Sequence, residues 1–139
     1  MKSLISVMVV LIGLLSFSKP MEAQSFQPVL VDCTVNYSGT PAIDYNHYEL
    51  YARVVTADGY VGDSVMVVDN MPVTSLSLPI SFVQNLPVWI PSLYHKDYYR
   101  VGVALVGVAN LTNEKTVIRK RASEWCDISE LSSGLIINM

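Results

Sequence analysis

The sequence has few of the residues from which metal centres and catalytic sites are usually built. It contains two cysteines and two histidines among 139 residues. The two cysteines are far apart and form no Cys-x-x-Cys pair, which argues against a zinc site. The sequence also lacks a Gly-x-Ser-x-Gly nucleophile elbow. We therefore expect no bound metal, no cofactor and no enzymatic activity.

Positive charge is scarce and looks scattered. The chain has 9 lysines and arginines against 12 acidic residues, which gives a net charge of −3. Proteins bind nucleic acids and anionic membranes through clustered positive charge. The one basic run, Arg119-Lys120-Arg121, is typical of an exposed strand whose charges discourage edge-to-edge pairing. We therefore expect no nucleic-acid partner.

The N-terminus predicts export. Lys2 gives a positive start, residues 4–17 form an apolar run of 14 residues, and a polar stretch then ends at Ala23. A bilayer-spanning helix needs roughly 20 apolar residues. Residues 1–23 therefore fit a secretory signal peptide better than an anchor, although Met21 is larger than usual for a cleavage site. We expect a secreted or periplasmic protein with no stable membrane insertion after cleavage.

Apolar and polar residues alternate through most of the remaining chain. Val29, Val31, Cys33 and Val35 share one face of a predicted strand over 28–37, for example. Similar patterns predict strands at 47–56, 60–68, 74–83, 98–109, 115–122 and 124–131, with a longer connection over 84–97. Within 74–83, one face carries Leu76, Leu78, Ile80 and Phe82, and the other carries Ser75, Ser77, Pro79 and Ser81.

Short, evenly spaced strands without an amphipathic helix indicate a sandwich or barrel. We predict an all-β fold, namely a single-domain antiparallel β-sandwich of six to eight strands. Its expected architecture is immunoglobulin-like or fibronectin-like. The domain would span residues 24–131, and residues 132–139 would form a C-terminal tail.

The two cysteines lie near opposite ends of the predicted domain. Export would place Cys33 and Cys126 in an oxidising compartment, where a disulfide is the expected state. Closing so long a loop would stabilise the fold by roughly 4–5 kcal/mol in the chain-entropy model. The alternative is a pair of buried free thiols.

Two groups of residues are candidates for binding. The proline-bracketed segment 86–91 could present Trp89 and Ile90 as a stiff contact patch, or could instead be a plug that closes one end of the sandwich. Tyrosine is abundant, and a tyrosine-lined surface would suit sugars or proteins. We expect Tyr45 and Tyr51 to face together on such a surface.

Two further patterns bear on function. Asn36 and Asn110 begin glycosylation acceptor sequences, which matter only if the source is a eukaryote or its virus. His95 lies close to Asp97, and such a pair can act in general base catalysis. Ordinary surface residues explain both patterns equally well.

The sequence as a whole indicates a non-enzymatic binding module that recognises a protein or a carbohydrate. One alternative is a carrier for an apolar ligand or lipid, held between parted sheets. A second alternative is a small secreted hydrolase that uses His95 and Asp97.

Mass spectrometry of the exported protein tests the signal peptide. We expect a chain that starts near Gln24, because the polar stretch ends at Ala23. An intact Met1 terminus in membrane-bound material would show that the segment is an anchor instead.

Overall fold

The structure, a computed structural model, describes residues 25–39, 45–72 and 79–139. The predicted signal peptide lies outside these residues, as do Leu76 and Leu78. The described residues form seven strands and one 3-10 helix. These elements are β1 Phe26–Asn36, β2 Tyr45–Thr56, β3 Val65–Met71, β4 Ile80–Trp89, β5 Tyr99–Ala109, β6 Lys115–Ala122, the 3-10 helix Ile128–Ser132, and β7 Leu135–Asn138.

The described strands form two sheets. One sheet has three strands in the order β4-β1-β7, and the other has four in the order β3-β2-β5-β6. Neighbouring strands are antiparallel, except that β7 runs parallel to β1. The predicted all-β sandwich is therefore confirmed.

The core lies between the inner faces of the two sheets. On β1 the alternation predicted from sequence holds, because Val31, Cys33 and Val35 are fully buried. Ile80 and Phe82 on β4 are also buried while Ser81 is exposed, as expected. The four-stranded sheet contributes the facing residues, which include Tyr48, Leu50, Val54, Val101, Val103 and Leu105.

The β2–β3 hairpin forms as predicted, with Gly59 at its turn in a left-handed conformation (φ 100°). Regular pairing of β3 begins only at Val65, however, and not at Tyr60. Between Tyr60 and Val65 the chain passes close to β4. A Cβ on Gly62 would lie 2.3 Å from the Pro87 carbonyl oxygen. Only glycine allows this approach.

The predicted connection over 84–97 is wrong, because β4 continues to Trp89. Leu86 and Val88 keep the two-residue alternation and are both fully buried. The strand pairs with β1 from Val35 opposite Ile80 to Phe26 opposite Trp89. Since β4 is the edge of its sheet, Pro87 is tolerated there without an N–H to donate.

The C-terminal predictions are also wrong. Residues 124–131 do not form a strand: Cys126 makes an isolated bridge to Tyr99, and the 3-10 helix follows. Residues 132–139 are not a tail, because they contain β7, which pairs with β1 at Cys33–Asn36. Ile137 is buried in the core, and burial of that side chain holds the short strand in place.

Two valines on β4 give a matched test of the sandwich. Val88 is 0% exposed and Val83 is 62% exposed. Val88→Ala should lower the free energy of unfolding by about 2 kcal/mol, since it removes two buried methyl groups and leaves a cavity. Val83→Ala should change it by less than about 0.5 kcal/mol. Urea denaturation measures both, and equal losses would contradict the assigned faces.

Candidate functional site

A groove of about 610 Å³ runs across the outer face of the four-stranded sheet. We call it the outer groove. Its volume falls within the range of about 300–1,000 Å³ that is common for small-molecule sites. Its main lining residues are Tyr51, Arg53, Arg100, Gly102, Ala104 and Lys120.

Small residues on β5 form the floor of the outer groove. Gly102 lies opposite Arg53 of β2, and Ala104 lies opposite Lys120 of β6. A Cβ on Gly102 would meet nothing closer than Arg53 Cγ at 3.9 Å. Because neighbouring strands are about 4.8 Å apart, the β2 and β6 backbones lie about 10 Å apart, and their outward side chains form the walls on either side of β5.

Positive charge is concentrated in the outer groove. Of the seven lysines and arginines in the described residues, five line it, and none of its described lining residues is acidic. The expectation of scattered basic charge is therefore wrong for this face, because β2, β5 and β6 bring together residues that are distant in sequence. The five are Arg53, Arg100, Lys115, Lys120 and Arg121.

Arg100 has a hydrogen-bonding capacity that the described protein does not satisfy. Its guanidinium carbon lies 4.4 Å from the centroid of the Trp125 ring, a cation–π contact that fixes the side chain. Its Nε is buried and lacks a hydrogen-bond partner in the described part of the chain. Such an unpaired donor costs free energy. Because Nε is shielded from solvent, a ligand would reach it only if the Arg100 side chain moved.

A small polar network stands at one end of the outer groove. Lys115 Nζ lies 2.9 Å from Glu49 Oε1, and the Tyr51 hydroxyl donates to the same oxygen at 2.9 Å. Lys115 also donates to the Tyr51 hydroxyl at 3.0 Å. The hydrogen bond from Lys115 lowers the pKa of Glu49, and the network raises the pKa of Lys115. Lys115 is thus partly neutralised, and Tyr51 is held in position.

Two groups of side chains have metal-binding geometry. The donor atoms of His47, Glu49 and Asp69 lie within 4.8 Å of one another, as do those of Asp97, Asp127 and Glu130. Glu49 already accepts from Lys115 and Tyr51. Asp127 accepts from the Tyr94 hydroxyl and the Asp97 amide. These partners already stabilise the carboxylates, so a cation would gain less there.

The structure places Trp89 and Ile90 at one end of the sandwich, away from the outer groove. The Trp89 ring stacks on Tyr60, with centroids 4.3 Å apart, and meets Phe26 edge-on at 5.4 Å. Trp89 is half-buried, as is Ile90. This packing agrees better with a plug than with a free patch, and binding through Trp89 stays a prediction.

Tyr45 and Tyr51 do not face together. Tyr51 lies on the outer face, whereas the Tyr45 ring packs so closely that a Cβ on Gly107 would lie 2.7 Å from it. A register irregularity between Tyr45 and His47 shifts the alternation of β2. Trp89 and Ile90 therefore lie together at one end of the sandwich, Tyr45 packs elsewhere, and only Tyr51 of the four predicted binding residues belongs to the outer groove.

Cys33 and Cys126 are free thiols in this structure, and both are buried. Burial raises the pKa of Cys33 to about 12 and that of Cys126 to about 11. Because thiol exchange proceeds through the thiolate, the folded protein would oxidise slowly. The predicted disulfide is not formed here and stays a prediction.

The remaining predicted residues lie outside the groove as well. Asn36 Nδ2 donates to Asn138 Oδ1 at 3.0 Å, a bond that a glycan would displace, whereas Asn110 is exposed in the turn after β5. The His95 ring stacks on Tyr98 at 4.9 Å. The Tyr98 hydroxyl in turn donates to Asp58.

In comparisons with known proteins, no family model, no curated protein and no solved structure matched this chain. Within the described residues, no helix is long and apolar enough to cross a membrane. The case for a function therefore comes from the geometry of the outer groove.

Glu49→Gln tests the polar network. Since the pKa of Glu49 is lowered in the folded state, its carboxylate stabilises the fold above the ordinary glutamate pKa of about 4.3. That contribution disappears as the pH falls through the folded pKa. The stability advantage of wild type over Glu49→Gln should therefore be full at pH 7 and vanish in strong acid. Thermal unfolding measured from pH 7 to pH 2 checks this, and a pH-independent difference would contradict it.

Proposed function

We propose that this protein is a secreted or periplasmic, non-enzymatic binding module. Its outer groove would recognise anionic groups on a protein or carbohydrate partner. The observation that carries the proposal is that five basic residues line one groove of a chain whose net charge is −3. Like charges along one groove repel one another, and an anionic ligand relieves that repulsion.

Two features of the groove support recognition beyond a general attraction. Arg100 lines the groove, and its guanidinium is held over the Trp125 ring. Arginine also presents a planar set of donors that matches carboxylate, sulfate and phosphate oxygens in pairs. Arg53 and Arg100 together would thus give the groove geometric preference for such groups.

The strand order supports an immunoglobulin-like or fibronectin-like assignment for the sandwich. In that architecture the second and fifth strands pair in one sheet, and the third, sixth and seventh pair in the other. The β1–β4 pair and the β2-β5-β6 group fit these positions. β3 would then be the additional strand beside β2. β7 would take the edge position that the first strand normally fills, but in the parallel direction.

The alternatives receive less support. A lipid carrier would need space between the sheets, whereas the outer groove lies on the outer face and has charged walls. A hydrolase built on His95 and Asp97 would need the two side chains to act together. Instead, His95 stacks on Tyr98, and the Asp97 backbone amide donates to Asp127.

Paired charge removals test the proposal. Arg53→Gln with Lys120→Gln removes one positive charge from each wall of the outer groove. Titration calorimetry at low salt with dextran sulfate should show about tenfold weaker binding, or about 1.4 kcal/mol. The loss should shrink as salt is added, because salt screens exposed charges.

Lys96→Gln with Arg119→Gln is the matched control. It removes the same net charge from positions outside the groove, where Arg119 lies over the Tyr37 ring. The affinity of this control should stay within about twofold of wild type. An equal loss in both double variants would show that net charge alone attracts the probe, and the proposed site would be wrong.

A further inference from the structure

The floor of the outer groove has no backbone groups to offer a ligand. β5 is paired with β2 on one side and with β6 on the other from Gly102 to Val108. Its amide and carbonyl groups in this stretch are therefore used within the sheet. A peptide recognised by strand addition needs a free sheet edge, which this floor lacks, so recognition here depends on side chains.

The shape of the outer groove suits a flat chain. With Gly102 and Ala104 beneath it, the trough has a floor of small residues over β5 and lies between backbones about 10 Å apart. Val55 and Val106 add apolar surface along it. A sugar ring has one apolar C–H face that can lie on such a floor while its substituents reach the walls.

The walls carry the complementary groups for acidic substituents. Arg53 stands on the β2 side, and Lys120 stands on the β6 side beside Ala104. Tyr51, held by Glu49 and Lys115, presents a fixed ring at one end, where a sugar can stack. The groove fits single-stranded nucleic acid less well than a polysaccharide. Proteins that bind single strands stack the bases on several aromatic rings, whereas Tyr51 is the one aromatic residue among the described lining.

We infer that the outer groove binds a linear acidic polysaccharide along β5, with its carboxylate or sulfate groups paired to Arg53, Arg100 and Lys120. The inference rests on the proposed function, since it names the class of anion that the groove takes. It also assigns Gly102 a specific role: the absent side chain leaves room for the sugar ring.

Gly102 variants test the inference. Gly102 does not adopt a left-handed conformation, so other residues fit its backbone. Gly102→Val would place a branched side chain in the trough and, because valine favours strands, should not lower the melting temperature. Binding of polygalacturonate and of dextran sulfate should weaken at least tenfold in Gly102→Val. Gly102→Ala, which adds one methyl group, should lose much less.

The probe set separates failure of this inference from failure of the proposed function. Full-length exported protein is titrated with polygalacturonate, dextran sulfate, polyglutamate, polyuridylate and neutral dextran. Tighter binding of either acidic polysaccharide than of polyglutamate and polyuridylate, lost in Gly102→Val, supports the inference. Preference for polyglutamate or polyuridylate, also lost in Gly102→Val, overturns the polysaccharide and keeps an anion-binding groove. Binding that Gly102→Val leaves unchanged overturns the inference alone, because the Arg53→Gln with Lys120→Gln variant tests the proposed function. Absence of binding to every anionic probe overturns both.

Discussion

The pairing of β2 with β5 is the interaction on which the rest of the structure depends. It runs from Tyr45 opposite Ala109 to Thr56 opposite Tyr99, and its inner face supplies Leu50, Val54 and other core residues. Burial of those side chains fixes the register, because a slip of one residue would turn every one of them outward. The same register sets Arg53 beside Gly102 on the outer face. The β2–β5 pairing therefore positions both the core residues on its inner face and the groove residues on its outer face.

The outer groove brings charges together at a cost in free energy. Five basic side chains gathered on one face raise the local potential. Glu49 offsets part of it through Lys115, and Trp125 stabilises Arg100 through its ring. Arg53 and Lys120 lie on opposite sides of β5. None of the described residues that line the groove is a carboxylate that could neutralise them. The proposed anion binding would use this residual charge.

A strand could be predicted from the sequence where apolar and polar residues alternate clearly within that strand. β1, β2, β5 and β6 were predicted near their observed bounds, and β6 matched at Lys115–Ala122. The second half of β4 was missed because Pro87 and Pro91 suggested a loop, although an edge strand tolerates Pro87 and ends before Pro91. β7 was missed because four residues give too short a pattern. Its place depends on contact with β1, which lies about a hundred residues earlier.

The sequence alone determined which residues face inward on β1 and at the start of β4, because side chains alternate in direction along any extended chain. It likewise determined an all-β fold of two sheets, since alternating strands must bury their apolar faces against one another. Only the tertiary structure decided that Arg53, Arg100 and Lys120 meet, because their neighbourhood arises from strand order and register. The unpaired Nε of Arg100 and the position of Gly102 beside Arg53 are likewise properties of packing between strands. A charge pattern that is scattered along the chain becomes a single site only when three strands lie side by side.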